Sequence, residues 1–393
     1  MTKNITMIHQ PRFNRHQMML VVIVVVLLGI VTVLLAKGAG PLAAFEPETG
    51  SLSGATIQSA TGASGGGVIK FAASATPTPS PTAGSCATTI SNVPDGPDPF
   101  GGCWPGPSNT GPNAPESSMS TYTGSCTVSA ANTIIDSKIV NCSPLVVGTG
   151  ASGLMIKNSY LKGGVIQNSG SASFTIQDSQ IDNAVQRPAC SGPTSCAAGL
   201  YACGDPNNGT VECGVGYENF TILRTEITHT NRSAYCGNTC TIQDSYMHGT
   251  NLWPDQTNLA HASGVRSEQY LTLRHNALGC DYNGPFPNDE LGCSADLTGY
   301  PDFAPIKNAT IDQNLFLANP GNGFCVYGGG TAGKPYSNDP TNATYIVFTN
   351  NIFQRGTTGK CGYYGAVTDY ISGRTGNVWT NNKYDNGATV SPN

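Results

Sequence analysis

Charge is scarce in this chain of 393 residues: Asp, Glu, Lys and Arg together make up 11% of it, with a net charge of -5. No basic excess exists, which argues against nucleic acid as a partner, because phosphate binding is built on clustered Lys and Arg. Intrinsic disorder is excluded from the other side. It accompanies high net charge and few apolar residues, whereas 39% of this chain is hydrophobic. Cysteine is absent from the first 85 residues, and all 14 lie between Cys86 and Cys361. An even number confined to one part of the chain suits an oxidising compartment. Neighbouring residues give natural pairs: Cys86 with Cys103, Cys126 with Cys142, Cys190 with Cys196, Cys203 with Cys213, Cys236 with Cys240, Cys280 with Cys293, and Cys325 with Cys361. Zinc is the weaker alternative, since Cys236-x-x-x-Cys240 has no matching second half. A leucine-rich horseshoe is excluded because its Leu-x-x-Leu-x-Leu pattern does not occur.

What the chain has in abundance is Gly (48 residues), Asn, Ser, Thr, Ile and Val, the composition of β structure with tight turns. One long apolar run occurs, an uncharged stretch of 19 at residues 18–36 (MMLVVIVVVLLGIVTVLLA). It is long enough to span a bilayer. Arg12, Arg15 and His16 precede it and Lys37 follows. That bias puts residues 1–17 in the cytoplasm and everything after the run outside. The run reads as an uncleaved signal anchor; the alternative is a cleaved signal peptide ending near Leu42-Ala43-Ala44. Residues 37–85 read as a stalk. Its part 45–71 resembles the first and last strands of a carbohydrate-binding β-sandwich joined without the middle, and 72–85 (AASATPTPSPTAGS) is a Thr/Pro/Ser spacer. The Pro/Gly-rich segment 86–124 is expected to cap whatever follows.

From 125 to 393 a short unit recurs. It reads IIDSKI at 134–139, IKNSYL at 156–161, IQDSQI at 176–181, ILRTEI at 222–227, IQDSYM at 242–247 and LRHNAL at 273–278. Three further copies follow: IDQNLF at 311–316, FTNNIF at 348–353 and WTNNKY at 379–384. Measured at the Ser/Thr/Asn position, Ser137 to Ser159 is 22 residues, while Ser159 to Ser179 and Thr225 to Ser245 are 20 each. Later steps lengthen to 31, 38, 37 and 31. A minimum period just above 20 is one turn of a parallel β-helix, three short strands and three bends, and longer steps carry an inserted loop. The expected fold is therefore an all-β solenoid of about nine coils. Ser or Asn after each strand fits a bend, where the side chain bonds backbone groups that have left the ladder.

Five motifs then carry a resemblance: Pro-Gly-Pro-x-Asn-Thr-Gly at 105–111, Leu-Arg-His-Asn at 273–276, Cys-Val-Tyr-Gly-Gly at 325–329, Gly-Tyr-Tyr-Gly at 362–365 and Gly-Asn-Val-Trp at 376–379. With the repeats, residues 100–390 resemble secreted bacterial right-handed parallel β-helix proteins of the pectate-lyase-like superfamily. The resemblance implies the right-handed fold; the superfamily hosts lyases, hydrolases and non-catalytic surface proteins, so activity does not follow from it. At His261-Ala262-Ser263-Gly264, Ser263 stands where related sequences tend to carry Asp, which withdraws any role that carboxylate has as base or metal ligand. The Asp-Asp, Gly-His-Gly and Arg-x-Lys set of polygalacturonases and the pectate-lyase signatures are also missing.

Insertions point to the working face, and residues 245–310 hold most candidates. Lyase chemistry on a uronic acid needs a base and positive charge for the developing dianion. His261, Arg266, Arg274 and His275 are the catalytic candidates on that count, with surface or hydrogen-bonded structural histidines as the alternative. His248, Trp253, Tyr270, Tyr282, Lys307 and Tyr327 are the candidates for substrate contact, flat rings and donors suited to sugars. Asp281, Asp289, Glu290, Asp296 and Asp302 offer a pair of acids for glycosidase chemistry or ligands for Ca2+; no metal site is assigned. The expected partner is extracellular polysaccharide, with the protein a membrane-tethered monomer. Two functions remain open: a lyase-like carbohydrate-active enzyme and a non-catalytic glycan-binding or adhesion module.

Overall fold

A computed structural model describes residues 86–167, 170–183, 213–250, 261–281, 292–319, 321 and 323–392, together with the backbone of the short strands Ala55–Ser59, Gly67–Phe71, Leu200–Tyr201 and Thr210–Val211. The expected anchor at 18–36, Trp253, Tyr282, the side chain of His261, the pair Cys190–Cys196 and the partner of Cys213 lie outside the described residues. Among those described, no helix is long and apolar enough to cross a membrane. The chain divides into two units, Met1–Thr78 and Pro79–Asn393. In the first, Ala55–Ser59 and Gly67–Phe71 pair antiparallel with Ala55 opposite Phe71.

The second unit is all-β, built from stacked parallel strands as a parallel β solenoid requires. Its two large sheets have ten and fifteen strands. The larger sheet has two arms, because the strands Cys213–Leu223, Arg232–Gln243 and His261–Arg274 run continuously around a corner. At that corner Asn219, Thr239 and Tyr270 adopt φ of 53°, 55° and 55°. Each arm obeys the two-residue period of a strand with one face buried. Leu154–Lys157 and Phe174–Gln177 alternate buried and half-buried positions. On the second arm the inward residues stack in register from coil to coil: Ile135, Ile156, Ile176, Ile222, Ile242, Leu273, Ile311, Phe348 and Trp379. On the ten-stranded sheet Leu161, Ile181, Ile227, Met247, Leu278, Phe316 and Phe353 do the same. Each fully buried side chain contributes about 1.5–3 kcal/mol, so the stacked rows hold the coils together.

The repeated Ser/Asn sits at the bend between these two faces and is buried in every coil from Ser159 onward. The N–H of Ser159 donates to Ser179 Oγ (3.1 Å), that of Ser245 to Asn276 Oδ1 (2.9 Å) and that of Asn276 to Asn314 Oδ1 (3.1 Å). The residue just before the ladder is left-handed throughout, with φ between 43° and 57° at Asn158, Asp178, Arg224, Asp244, His275, Gln313, Asn350 and Asn381. The first repeat departs from the expected alignment by one residue. Ile135, not Ile134, pairs with Ile156, so Ser137 takes the left-handed position and the N–H of Lys138 reaches Ser159 Oγ at 3.1 Å. The first step is thus 21 residues rather than 22. Burial decides it: Ile134 is 65% exposed and Ile135 is in the core.

Segment 86–124 differs from the expected end cap. Only Ser120–Thr121 joins the first coil, pairing with Lys138–Val140. The rest runs as a strap along the outside of the ten-stranded sheet. Gln354 Nε2 donates to Asn92 O (2.8 Å), Gly111 N to Arg224 O (3.0 Å), and Lys162 pairs with Glu116 (2.8 Å). Trp104, fully buried, packs on Ala277, Leu315 and Ile352. Those three occupy the outward positions of the sheet, and an outward apolar row left wet would forfeit its burial.

Five of the seven expected disulfides fall among the described residues and all have the expected partners: Cys86–Cys103, Cys126–Cys142, Cys236–Cys240, Cys280–Cys293 and Cys325–Cys361.

Candidate functional site

The first arm of the larger sheet positions the densest chemistry. Its inward row is Ala234, Val265, Leu297, Val326 and Val367, in register. The neighbouring outward row is Tyr235, Arg266, Thr298, Tyr327 and Thr368. Five rungs at the ~4.8 Å strand spacing span about 19 Å along the solenoid axis. Gly237 is required beside this row: a Cβ there would lie 2.3 Å from the Tyr217 ring, which packs edge-on against Tyr235 with centroids 4.8 Å apart.

A buried polar centre forms at Arg266. The Tyr235 hydroxyl donates to Glu268 Oε1 at 2.6 Å, and Arg266 Nη2 donates to the same oxygen at 3.4 Å and to Asp302 Oδ2 at 2.9 Å. Lys334 closes the chain, 3.1 Å from Asp302 Oδ1. The guanidinium lies between two rings, its Cζ 5.1 Å from the centroids of both Tyr235 and Phe303, a cation–π arrangement. Glu268 is 0% exposed and Arg266 7%. Burial raises the Glu268 carboxyl above its ordinary pKa, outweighing the Tyr235 hydrogen bond and the Arg266 charge. Burial also raises the Tyr235 phenol. Asp302 goes the other way: burial alone would raise it, but hydrogen bonds from Arg266 and Lys334 hold it low. Two buried atoms at this centre, Arg266 Nε and Glu268 Oε2, have no hydrogen-bond partner among the described residues.

From this centre an aromatic track continues toward the C-terminal coils. Lys334 lies 4.9 Å from the centroid of the Tyr300 ring. Tyr300 meets Tyr327 at 4.8 Å, Tyr327 meets Phe324 at 5.8 Å, Phe324 meets Tyr364 at 5.8 Å, and Tyr364 meets Tyr363 at 4.8 Å. Tyr363 and Tyr364 are 61% and 67% exposed, and Phe303 is exposed as well. Tyr327, one of the expected contact residues, is thus in the middle of the track.

Arg274, His275, His248 and Tyr270 are not gathered here. Arg266 and Arg274 share a strand, but the corner at Tyr270 sends Arg274 to the second arm, where it lies 3.6 Å from Asp312 and donates to Gln313 (3.1 Å). His275 is neither free nor near Arg266. It occupies the left-handed bend position, with Nδ1 2.6 Å from Asp244 and Nε2 3.1 Å from Asp98 of the strap, and it stacks on Trp104. His248 stacks on Tyr246 and bonds Glu226 (2.8 Å), a structural tie at the ten-stranded sheet. Tyr270 is an exposed ring at the corner. Lys307 stands just before the corner residue Asn308 (φ 55°), with Gln269 and Thr344 as its strand partners. His261 pairs through its backbone with Gly292. Ser263 is buried. Arg266 is therefore set apart from Arg274 and His275. Tyr235, Glu268, Phe303 and Lys334 are the members that motif reading missed; the signal for Glu268 was a carboxylate inside a strand of an otherwise charge-poor chain.

Among the described residues, one group has metal-like proximity, Asp296 with Cys325 and Cys361 within 4.8 Å. The two sulfurs are joined as a disulfide, which removes the thiolates a metal needs. Asp281, named above as a Ca2+ ligand, instead accepts the N–H groups of Gly249 (2.9 Å) and Thr250 (2.7 Å). No model of a known family, curated protein or solved structure matches the chain.

Proposed function

We propose that this chain is an exported, membrane-tethered right-handed β-helix of about nine coils, pectate-lyase-like in architecture, that binds extracellular polysaccharide. The observation that carries the proposal is the aromatic track Tyr300–Tyr327–Phe324–Tyr364–Tyr363, with an exposed end and a cationic start at Lys334 and Arg266. Flat rings spaced along the axis suit stacking on successive sugar rings, and the adjoining donors suit their hydroxyls and carboxylates. Disulfides throughout the solenoid accord with an extracellular setting.

The test is a binding screen of the full chain against acidic and neutral polysaccharides, repeated with Tyr327→Ala and Tyr364→Ala. Binding that weakens about tenfold per ring, from ~1–1.5 kcal/mol per aromatic contact, supports the track. Unchanged binding in both variants refutes it. A second reading, lyase-like cleavage, is favoured by one observation: a phenol and a raised carboxyl 2.6 Å apart beside Arg266. That is the pairing of proton carrier and charge neutraliser that β-elimination requires. The same screen, followed by unsaturated products and reducing ends, separates turnover from binding.

A further inference from the structure

The corner between the two arms of the larger sheet carries a second line of exposed side chains, apart from the aromatic track. Its five successive left-handed positions are Asn219, Thr239, Tyr270, Asn308 and Tyr345, with φ from 53° to 56°. The strand pairs on either side keep one offset per coil, so the five are in register. None of the five is charged. Left-handed backbone suits Asn, as at Asn219 and Asn308, and strains a bulky ring. Local stability therefore does not select Tyr270 and Tyr345, and strain of that kind points to function. Tyr270 is 47% exposed and Tyr345 53%. Tyr345 lies over Gly376, the next corner position, where a Cβ would collide with the ring. Glycine there lets the ring lie along the solenoid axis. The two phenols, the Asn308 amide between them and the hydroxyls of Thr272 and Thr310 alongside make no hydrogen bond among the described residues. They are open to a ligand.

We infer that Tyr270, Asn308 and Tyr345 form a second binding site, for a neutral β-1,4-linked polysaccharide in its extended two-fold form. The inference shares with the aromatic track only the premise that the chain binds polysaccharide. Spacing carries it. Tyr270 and Tyr345 are two rungs apart, about 9.6 Å at the ~4.8 Å strand spacing. In an extended β-1,4 chain each sugar is turned over relative to the last, so the same face recurs at every second sugar, an interval close to two rungs. The rings then stack on alternate sugars, and Asn308, one rung from each, reaches the hydroxyls of the sugar between. An α-1,4 chain of the same sugar coils and cannot keep alternate faces in line. Charge sets the rest of the class. The corner row offers a polyanion no cation of its own, and beyond the threonines Arg274 and Asp312 pair with each other at 3.6 Å. Lys307, next to Asn308, adds a donor that a sugar hydroxyl can satisfy.

The experiment measures binding of the full chain to cellohexaose and maltohexaose, the same sugar in β-1,4 and α-1,4 linkage. Each is titrated against the wild type and against a background carrying Tyr327→Ala and Tyr364→Ala, which disables the track. In that background cellohexaose is expected to bind, and maltohexaose at least about tenfold more weakly. Adding Tyr270→Asn or Tyr345→Asn should weaken cellohexaose binding about tenfold each, the loss of one stacked ring. Asn is the replacement because it already occupies this turn at Asn219 and Asn308, so the fold is kept. Tyr345→Asn combined with Asn308→Tyr retains two rings but sets them one rung apart, and should not restore binding. No cellohexaose binding in the background, equal affinity for the two hexaoses, or full recovery in the one-rung variant overturns the inference. Wild-type binding that vanishes in the background does so too, and leaves the track reading intact. If the wild type binds no polysaccharide of any kind, the inference falls together with that reading.

Discussion

His275 is the residue whose role changes most between sequence and structure, and its replacement is the sharpest test of the fold. Its imidazole lies between Asp244, on the preceding bend, and Asp98, on the strap, with Trp104 stacked on the ring at 5.4 Å. Burial alone would lower its pKa, but the hydrogen bonds that the ring donates to the two carboxylates raise it from 6.5 to about 9. Asp98 is pushed down correspondingly: burial would raise it, and the His275 hydrogen bond with the N–H groups of Gly102 and Phe100 outweighs that. A rise of this size corresponds to about 3 kcal/mol of preference for the folded state by the protonated ring. The folded pKa lies above the unfolded one, so this contribution is complete below pH ~6.5 and drains away as pH climbs through about 9. His275→Ala leaves Asp98, whose side chain is 1% exposed, without its counter-charge, and the cost should be about 3–5 kcal/mol near neutrality. At pH 10 the wild type has lost the charge too, so the gap between the two proteins narrows. The assay is urea unfolding of both proteins from pH 6 to pH 10, with disulfides intact. Limited proteolysis of the strap should report its release first, as a locally docked segment requires. A wild-type stability that is flat across this range, or a variant costing under ~1 kcal/mol, refutes the clasp.

Two further outcomes follow from the stacked rows. Asn314 Oδ1 accepts from the backbone N–H and the side chain of Asn276, and its Nδ2 donates to Leu273 O, Asp312 O and Asn351 Oδ1. Asn314→Ala strands several buried groups and should cost about 3 kcal/mol or more in urea unfolding, with Asn314→Ser recovering part of it, since Ser245 Oγ accepts the Thr225 N–H in the same way two coils earlier. The Cys325–Cys361 bridge closes a separation of 36 residues. Replacing both with Ala should lower stability by about 4 kcal/mol on the loop-entropy account, read as a lower urea midpoint that added reductant no longer shifts in that region.

The solenoid was legible because its determinants are local and repeated. An apolar residue two places before a left-handed bend, with Ser or Asn just after, fixes a coil without reference to anything distant. The disulfide pairs were legible for the same reason: each joins neighbours in sequence. The first repeat was misaligned where two adjacent Ile residues, Ile134 and Ile135, both fit the pattern, and only burial chooses between them. The site was less legible, because its members come from different coils. Tyr235, Glu268 and Asp302 meet only when strands about 30 residues apart stack, and no spacing rule in one dimension encodes that. His261, Arg266, Arg274 and His275 supply the base and positive charge that lyase chemistry needs and are close in sequence, but sequence order does not show the bend between them. The corner at Tyr270 sets Arg266 and Arg274 on different faces of the coil.

The strap shows how an outward position can carry information that an inward pattern conceals. Ala277, Leu315 and Ile352 stand where Gln180 and Glu226 stand in earlier coils of the same sheet. Polar residues at that row mark a wet surface, and the change to apolar ones marks a covered one. The cover is Trp104, and the segment that delivers it then runs back to the first coil, crossing the charged bend row on the way. Along that row Asp178, Arg224, Asp244 and His275 alternate in sign. Arg224 holds Asp178 at 2.6 Å and His275 holds Asp244 at 2.6 Å. Asp98 then adds the next negative charge from the strap. The alternation continues from the solenoid into the strap, so the same electrostatics that hold consecutive bends together also fix where the strap docks.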